Sequence, residues 1–258
     1  MEPLSDAIPM PITMPQSCDK HGAYESRKII GNIWSRCPTC EAERRAAEVE
    51  READELRKFH EARQRKLIGR AAIPARFVGK TFENFHADTE AKRAALTLVR
   101  DYAENFERNA RTGQGLILSG KPGTGKSHLA GAVLQSQIGR DVLYATCLDV
   151  IRMVRETWRK DSEQSERQVL GHLGGLDLLV IDEMGVQYGT DGEQTILFDV
   201  LDRRYRDVKP TILLTNQDAA GLKAYLGERT FDRIRETCRL VAFDWESYRP
   251  QARVEVAS

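Results

Sequence analysis

Residues 115–127, GLILSGKPGTGKS, constrain the fold more than any other stretch of the chain. The apolar residues up to Gly120 predict a buried strand, and those from Lys126 to Gln137 predict a helix. The loop between them satisfies the spacing G-x-x-x-x-G-K-[ST]. Glycines let backbone N–H groups turn toward phosphate oxygens, and the helix N-terminus adds its positive dipole end. We therefore predict a nucleoside triphosphate held by Gly120, Pro122, Gly123, Thr124, Gly125, Lys126, Ser127 and His128.

Acidic and amide side chains end two further predicted strands. Asp182 follows a run of apolar residues, and a carboxylate placed beside a phosphate loop can ligate Mg²⁺ together with the Ser127 hydroxyl. Glu183 is placed to orient and polarise an attacking water, which favours hydrolysis over small-molecule phosphorylation. Asn216 ends the other strand, where its amide can bind the γ-phosphate or the water. Lys126, Glu183 and Asn216 are therefore the predicted catalytic residues of the phosphate site.

Predicted strands alternate with predicted helices from about residue 90 onward. The strands are expected at 115–120, 141–146, 176–183, 210–216 and 239–245. Helices are expected at 90–110, 126–137, 149–160 and 193–206, and short helices within 218–238. Such alternation is typical of a parallel sheet covered by helices on both faces. The sequence therefore predicts an α/β fold.

Five further segments carry a narrower resemblance: VIDEMGVQ (180–187), LDRRY (201–205), LLTNQ (213–217), LGERTFDR (226–233) and FDWESYR (243–249). The last two are much more specific than the phosphate loop, which many NTPases share. Through all five, residues 73–250 resemble the DnaC-type replicative helicase loaders of the AAA+ ATPases and, more distantly, the IstB-like transposition ATPases. The resemblance implies an AAA+ P-loop NTPase fold that hydrolyses ATP with Mg²⁺. It also implies three partners: a hexameric replicative helicase, single-stranded DNA, and further copies of the chain in an ATP-dependent oligomer.

The resemblance implies further site residues. Arg233 would be the arginine finger that completes the nucleotide site of a neighbouring subunit, with Arg229 as second choice; the alternative for either is an ordinary surface residue of a helix. Only residues 246–258 follow Trp245, so we expect the C-terminal lid of AAA+ proteins to be reduced or absent. Arg249 is the expected substitute for the lid arginine.

The resemblance also places single-stranded DNA contacts. An aromatic ring offers a stacking face for a base, and a neighbouring cation offers a partner for a phosphate. The implied residues are Trp158, Arg159, Lys160 and Tyr188. Trp158 can equally be a core residue at the end of its helix.

Four potential metal ligands lie near the N-terminus with the spacing Cys18-x₂-His21-x₁₅-Cys37-x₂-Cys40. Three thiolates and one imidazole suit tetrahedral Zn²⁺, and a metal would supply cohesion that the few hydrophobic residues of this segment cannot. Redox-active cysteines are the main alternative. We expect a disordered tail at 1–17, a zinc module at 18–40, a charged helix and linker at 41–72, and the ATPase domain at 73–258.

The sequence allows two interpretations of the role of the N-terminal module. The resemblance to the loaders implies that this region binds the helicase. The alternative is contact with nucleic acid, because basic residues are concentrated toward the end of the charged helix. That helix also carries a thin apolar stripe, which can rest on the chain's own domain or on a partner.

Composition narrows the functional classes. The 39 basic and 39 acidic residues cancel, so nucleic-acid contact requires a local patch. No apolar run approaches the roughly 18 residues of a membrane helix, and no signal pattern is visible, which predicts a cytoplasmic protein without membrane contact. Two alternatives to a helicase loader remain: an ATPase that assists a transposase on duplex DNA, and a zinc-based adaptor gated by nucleotide with negligible turnover.

Overall fold

The computed structural model describes residues 12–185 and 190–248, apart from the side chains of residues 59–66 and 68. The chain divides into two compact units, residues 1–63 and 64–258. Within the two described ranges, no helix combines the length and the apolar character that a membrane crossing requires.

The N-terminal unit contains an antiparallel sheet in the order β1-β2-β3 and most of a long helix. Its elements are β1 (Thr13–Cys18), β2 (Gly22–Ile30), β3 (Ile33–Trp34) and α1 (Pro38–Arg70). Residues 13–17, expected in a disordered tail, instead form most of β1, because backbone pairing with β2 needs no apolar pattern. Helix α1 begins before residue 41, at Pro38, whose fixed φ suits the first position of a helix.

The larger unit has a five-stranded sheet in the order β5-β6-β7-β4-β8, and all neighbouring strands are parallel. After a 3₁₀ turn at Ala75–Phe77, its elements are α2 (Glu90–Glu104), α3 (Phe106–Thr112), β4 (Gly115–Gly120), α4 (Lys126–Ser136), β5 (Val142–Thr146), α5 (Cys147–Glu156), α6 (Glu166–Gly175), β6 (Leu178–Met184), α7 (Asp191–Arg206), β7 (Thr211–Thr215), α8 (Ala219–Leu226), α9 (Glu228–Thr237) and β8 (Cys238–Phe243).

The sheet is buried on both faces, which explains why β4, β6 and β7 are almost continuously apolar. Leu178 and Val180 of β6 belong to the apolar cluster that includes residues of α2 and α4. Leu179 and Ile181 point to the opposite face and pack in the cluster with α5 to α9. The predicted α/β fold with helices on both sides of a parallel sheet is confirmed.

Local signals fix several helix boundaries that differ from the predicted ones. The interval 90–110 contains two helices, since α2 ends at Glu104 and α3 begins at Phe106, with Asn105 between them. Helix α5 ends at Glu156 and does not reach residue 160. Helix α6 was not predicted; it begins with a capping box in which Ser165 and Gln168 each bond the other's backbone N–H.

Candidate functional site

The carboxyl ends of β4, β6 and β7 meet at one edge of the sheet, where open α/β sheets commonly bind ligands. A cleft of about 980 Å³ opens at this edge. The predicted residues that line it are Pro122, Gly123, Thr124, Gly125, Lys126, Ser127, His128, Asp182, Glu183 and Asn216. Gly120 ends β4 at the start of the same loop. The structure thus brings the three predicted segments of the phosphate site together.

The phosphate loop needs glycine at two tightly packed positions. Gly120 and Gly125 have φ angles of +146° and +101°. Residues other than glycine rarely adopt such angles. A Cβ atom at Gly120 would lie 2.1 Å from the carbonyl oxygen of Phe243, and one at Gly125 would lie 2.5 Å from the Phe85 ring. Lys126 is buried and donates from Nζ to the carbonyl oxygen of Gly120 at 2.6 Å. The ammonium group is therefore already held within the loop.

The Asp182 carboxylate is held by hydrogen bonds to both oxygens. Oδ2 accepts from the Ser127 hydroxyl at 2.9 Å and from the Tyr144 hydroxyl, and Oδ1 accepts from the Glu183 backbone N–H at 2.7 Å. Adjacent oxygen ligands of an octahedral Mg²⁺, each about 2.0–2.1 Å from the ion, lie about 2.9 Å apart. The Ser127 and Asp182 oxygens therefore fit two neighbouring positions around one Mg²⁺ ion.

Tyr144 reaches this carboxylate from the neighbouring strand β5. Its side chain is 4% exposed. Burial is the main effect that raises the pKa of Tyr144, and the negative charge of Asp182 raises it further. The phenol therefore stays protonated and acts as the donor to the carboxylate.

Glu183 has an unusual backbone conformation. Its φ is +61°, a left-handed value that costs a non-glycine residue roughly 1–3 kcal/mol. The pairing of β6 with β7 shifts register between Ile181 and Met184. After the shift, the Thr215 hydroxyl of β7 donates to the Met184 carbonyl at 2.8 Å and so holds the end of β6. Such irregularities re-aim side chains beside active sites. Here the irregularity leaves Glu183 exposed in the lining of the cleft.

Residues 244–248, called here the C-terminal strap, contact the phosphate loop through its carbonyl groups. The Trp245 indole N–H donates to the carbonyl of Thr124 at 3.0 Å. The Tyr248 backbone N–H donates to the carbonyl of Gly123, also at 3.0 Å. These two bonds fix the orientation of two peptide groups in the loop.

Sequence reasoning missed the aromatic residues of this site, because single aromatic residues have no diagnostic spacing. Only the order of strands and the path of the chain bring them to the loop. They are Phe85, Tyr144, Trp245 and Tyr248.

The predicted residues Tyr188 and Arg249 lie outside the described residues.

Arg233 lies on α9 and is not part of the cleft lining of its own chain. It forms an ion pair with Asp202 of α7. Its guanidinium lies 5.6 Å from the ring centroid of Phe198 and 5.2 Å from that of Tyr205. Arg229, the second choice, is exposed and lies 5.2 Å from the same Phe198 ring. The structure thus places both arginines apart from the phosphate loop.

Comparisons with known proteins identify the family. A family model described as "IstB-like ATP binding protein" matches residues 49–256. The "Replicative helicase loader DnaC" of Escherichia coli strain K12 is 38% identical over 208 residues, which are 80% of this chain and 81% of the relative. That of Buchnera aphidicola subsp. Baizongia pistaciae is 36% identical over 197 residues, 75% of this chain and 79% of the relative. The chain belongs to the IstB-like ATP-binding protein family.

A solved structure supports the same assignment at the level of the fold. A crystal structure of the DnaC helicase loader matches with a TM-score of 0.60 and 25% identity, and the match covers 66% of this chain and 99% of that one. This IstB-like protein is therefore a DnaC homologue with the AAA+ fold. The predicted resemblance and fold are confirmed.

The four predicted metal ligands of the IstB-like chain precede the family match, which starts at residue 49. Cys18 ends β1, His21 lies in the turn to β2, and Cys37 and Cys40 flank the start of α1. Their ligand atoms all lie within 4.8 Å of one another. The fold thus converts two pairs that are distant in sequence into one cluster.

The spacing of the cluster fits zinc. A tetrahedral ion with Zn–S near 2.3 Å and Zn–N near 2.0–2.1 Å places sulfur atoms about 3.8 Å apart and nitrogen about 3.5 Å from sulfur. The Sγ atoms of Cys18 and Cys40 are 3.5 Å apart. His21 Nδ1 lies 3.3, 3.7 and 4.0 Å from the Sγ atoms of Cys40, Cys37 and Cys18. These separations favour the metal interpretation over a redox pair.

A carboxylate outside the cluster orients its histidine. His21 Nε2 lies 3.1 Å from Glu43 Oε1, and the other oxygen of Glu43 accepts from Lys20 Nζ at 2.5 Å. Metal-bound histidines commonly donate their second ring N–H to a carboxylate, which fixes the tautomer and the ring plane. Glu43 therefore supports the ligation of a metal through Nδ1.

Three of the residues predicted to contact DNA, Trp158, Arg159 and Lys160, follow α5 and are exposed. Trp158 is 58% exposed, and its indole N–H donates to Glu166 at 2.6 Å. The alternative interpretation of Trp158 as a core residue is therefore wrong. Arg159 forms an ion pair with Asp161 at 3.1 Å, and Lys160 is exposed.

We predict that Lys126→Ala abolishes ATP binding, because the phosphates lose their cationic clamp. Glu183→Gln should bind ATP as the unmodified chain does but lose at least roughly 10²-fold in turnover, because the water loses its base. Fluorescent-nucleotide titration and phosphate release measure the two effects. Lys223→Ala, which removes a lysine paired with Glu228 outside the cleft, is the control. Equal ATP affinity of Lys126→Ala and the unmodified chain would contradict the clamp.

We also predict one Zn²⁺ per chain, lost on Cys37→Ser. Glu43→Gln should retain zinc but release it to a chelator at roughly 10–100-fold lower chelator concentration, because His21 loses its orienting carboxylate. Glu48→Gln, which removes a carboxylate of the same helix that pairs with Arg51, is the control. Metal analysis with chelator titration tests both statements. Zinc-free protein, or identical release from the two glutamine variants, would refute the corresponding statement.

Proposed function

We propose that this chain is an ATP-dependent loader that binds a ring-shaped hexameric replicative helicase and places it on single-stranded DNA. Hydrolysis of ATP in an oligomer of the chain then releases the helicase. The observation that carries the proposal is the 38% identity to the DnaC loader over four fifths of both chains. The assembled phosphate loop, Ser127–Asp182 pair and Glu183 support an active ATPase rather than a passive adaptor.

Each residue of the cleft has a distinct role in hydrolysis. Lys126 holds the β- and γ-phosphates, and Ser127 and Asp182 would hold Mg²⁺, which neutralises charge on the phosphates when bound. Glu183 orients the attacking water and accepts its proton, and Asn216 holds the water or the γ-phosphate through its amide. The exposure of Glu183 and its place in the cleft lining support this role.

Arg233 completes the site of a neighbouring subunit. Its location away from its own phosphate loop supports a role in trans, because a finger must reach the nucleotide of another chain. Its ion pair with Asp202 and its contacts with Phe198 and Tyr205 hold it in the isolated chain. Assembly must therefore replace these contacts with a bond to the γ-phosphate.

Single-stranded DNA binds the exposed group after α5. The hydrogen bond from Trp158 to Glu166 fixes the edge of the indole, while more than half of its surface remains accessible to a base. Lys160 and Arg159 supply phosphate partners beside the ring. Stacking on an aromatic ring contributes roughly 1–3 kcal/mol per base and is tolerant of sequence, as a loader requires.

The N-terminal unit binds the helicase. It precedes the region shared with the IstB-like family except at its end, so a separate task for it is reasonable. Around the turn between β2 and β3 it exposes Ile29, Ile30 and Ile33, at 60%, 75% and 63%. Exposed apolar residues that cluster in this way suit contact with another protein.

We predict that the chain, with ATP, transfers the replicative helicase of its own genome onto circular single-stranded DNA. The measurement is helicase retained on the DNA after gel filtration, with Lys126→Ala as the inactive control. Ile30→Glu, in the N-terminal unit, should lose helicase binding while retaining ATP binding. Failure to bind helicase, together with salt-sensitive binding of duplex DNA, would overturn the loader in favour of a transposase-assisting ATPase.

We further predict that Arg233→Ala retains ATP affinity but loses roughly 10³-fold or more in turnover, because charge on the transferred phosphoryl group is no longer neutralised. Mixing it with Lys126→Ala should restore part of the activity, since some interfaces then contain both intact groups. Arg235→Ala, an exposed residue of the same helix, is the control. Hydrolysis by Arg233→Ala at the unmodified rate would rule out the shared site.

A further inference from the structure

Tyr144 hydrogen-bonds the carboxylate that the nucleotide site would use for its cation. Its hydroxyl donates to Oδ2 of Asp182, the same oxygen that accepts from Ser127. We propose that Tyr144 is a positioning residue that sets the affinity of the nucleotide site for its divalent cation. The inference rests on the proposed roles of Ser127 and Asp182 in holding Mg²⁺, and it is independent of the helicase and DNA partners.

The strand register explains how Tyr144 reaches Asp182. Thr146 of β5 lies opposite Asp182 of β6, and Tyr144 lies opposite Val180. Residues two apart along a strand share a face, so Tyr144 is the diagonal neighbour of Asp182 on the face that packs against α4. A short side chain at 144 would not span this diagonal, whereas a phenol does.

The backbone and the ring of Tyr144 are each held by a contact. Its backbone N–H donates to the carbonyl of Ala71 at 2.8 Å, and its ring centroid lies 5.9 Å from that of Phe77. With 4% of its surface exposed, the side chain has little room to change rotamer. The hydroxyl is therefore held at a defined point beside the carboxylate.

This contact leaves the ligand oxygens arranged before a cation binds. The Glu183 N–H fixes Oδ1 of Asp182, and Tyr144 fixes Oδ2. When the Ser127 hydroxyl turns from Asp182 toward the cation, the bond from Tyr144 still holds the carboxylate plane. Groups that hydrogen-bond a ligating carboxylate typically change metal affinity 10–100-fold when removed.

The fold itself does not require a bonded phenol at a buried position. Tyr102 of α2 is 3% exposed, and within the described residues its hydroxyl has no hydrogen-bond partner. This makes Tyr102 a matched control for the loss of one hydroxyl group.

The experiment compares Tyr144→Phe with Tyr102→Phe in the full-length chain. A fluorescent, non-hydrolysable ATP analogue is titrated first in EDTA and then, at fixed nucleotide, with Mg²⁺. We expect Tyr144→Phe to bind the analogue in EDTA within twofold of the unmodified chain but to need roughly tenfold more Mg²⁺ for half-saturation. Tyr102→Phe should change neither value. Melting curves confirm that both variants are folded.

Each other outcome overturns a defined statement. If Tyr144→Phe needs no more Mg²⁺ than the unmodified chain, Tyr144 is not a positioning residue for the cation, whatever the change in melting temperature. If its affinity in EDTA falls as much as its affinity in Mg²⁺, it shapes the cleft for nucleotide and the inference is wrong. If the unmodified chain binds the analogue without any Mg²⁺ dependence, Ser127 and Asp182 do not hold Mg²⁺, and the inference about Tyr144 is wrong with them.

Discussion

The contact between Ser127 and Asp182 depends on the order of the strands and, in turn, determines the rest of the nucleotide site. Strand β7 separates β4 from β6, so the N-terminus of α4 must reach across β7 to bring the hydroxyl to the carboxylate. Once this contact is made, Lys126, Glu183 and Asn216 face one cleft. A different position of β7 in the sheet would separate Asn216, which follows β7, from the Ser127 and Asp182 side chains.

The two units obtain their cohesion differently. In the larger unit, apolar side chains cover both faces of the sheet, and removal of their surface from water stabilises it. Between residues 12 and 58, which the structure describes in full, only Ser26 and Cys37 are buried. So little buried surface does not hold a small unit together, and a metal at the four-ligand cluster would supply the missing stability.

The sequence predicted those parts in which a local pattern and the tertiary environment agree. The apolar strands before the phosphate loop and before Asp182 are examples, because full burial leaves a continuous apolar signal. Helix α6 escaped prediction because three of its ten residues are glycine, which disfavours helices; its capping box and the packing of Val169 and Leu173 compensate. The proposed role of Tyr144 depends on the pairing of β5 with β6, which no local pattern contains.

Two of the bonds that join the C-terminal strap to the phosphate loop respond differently to substitution. The bond from Trp245 belongs to its side chain, so phenylalanine at this position would delete it. The bond from Tyr248 belongs to the backbone, and among the standard residues only proline lacks the N–H that makes it. Evolution can therefore replace the side chain at position 248 without losing the hydrogen bond to Gly123. At position 245 most replacements would remove the hydrogen bond to Thr124.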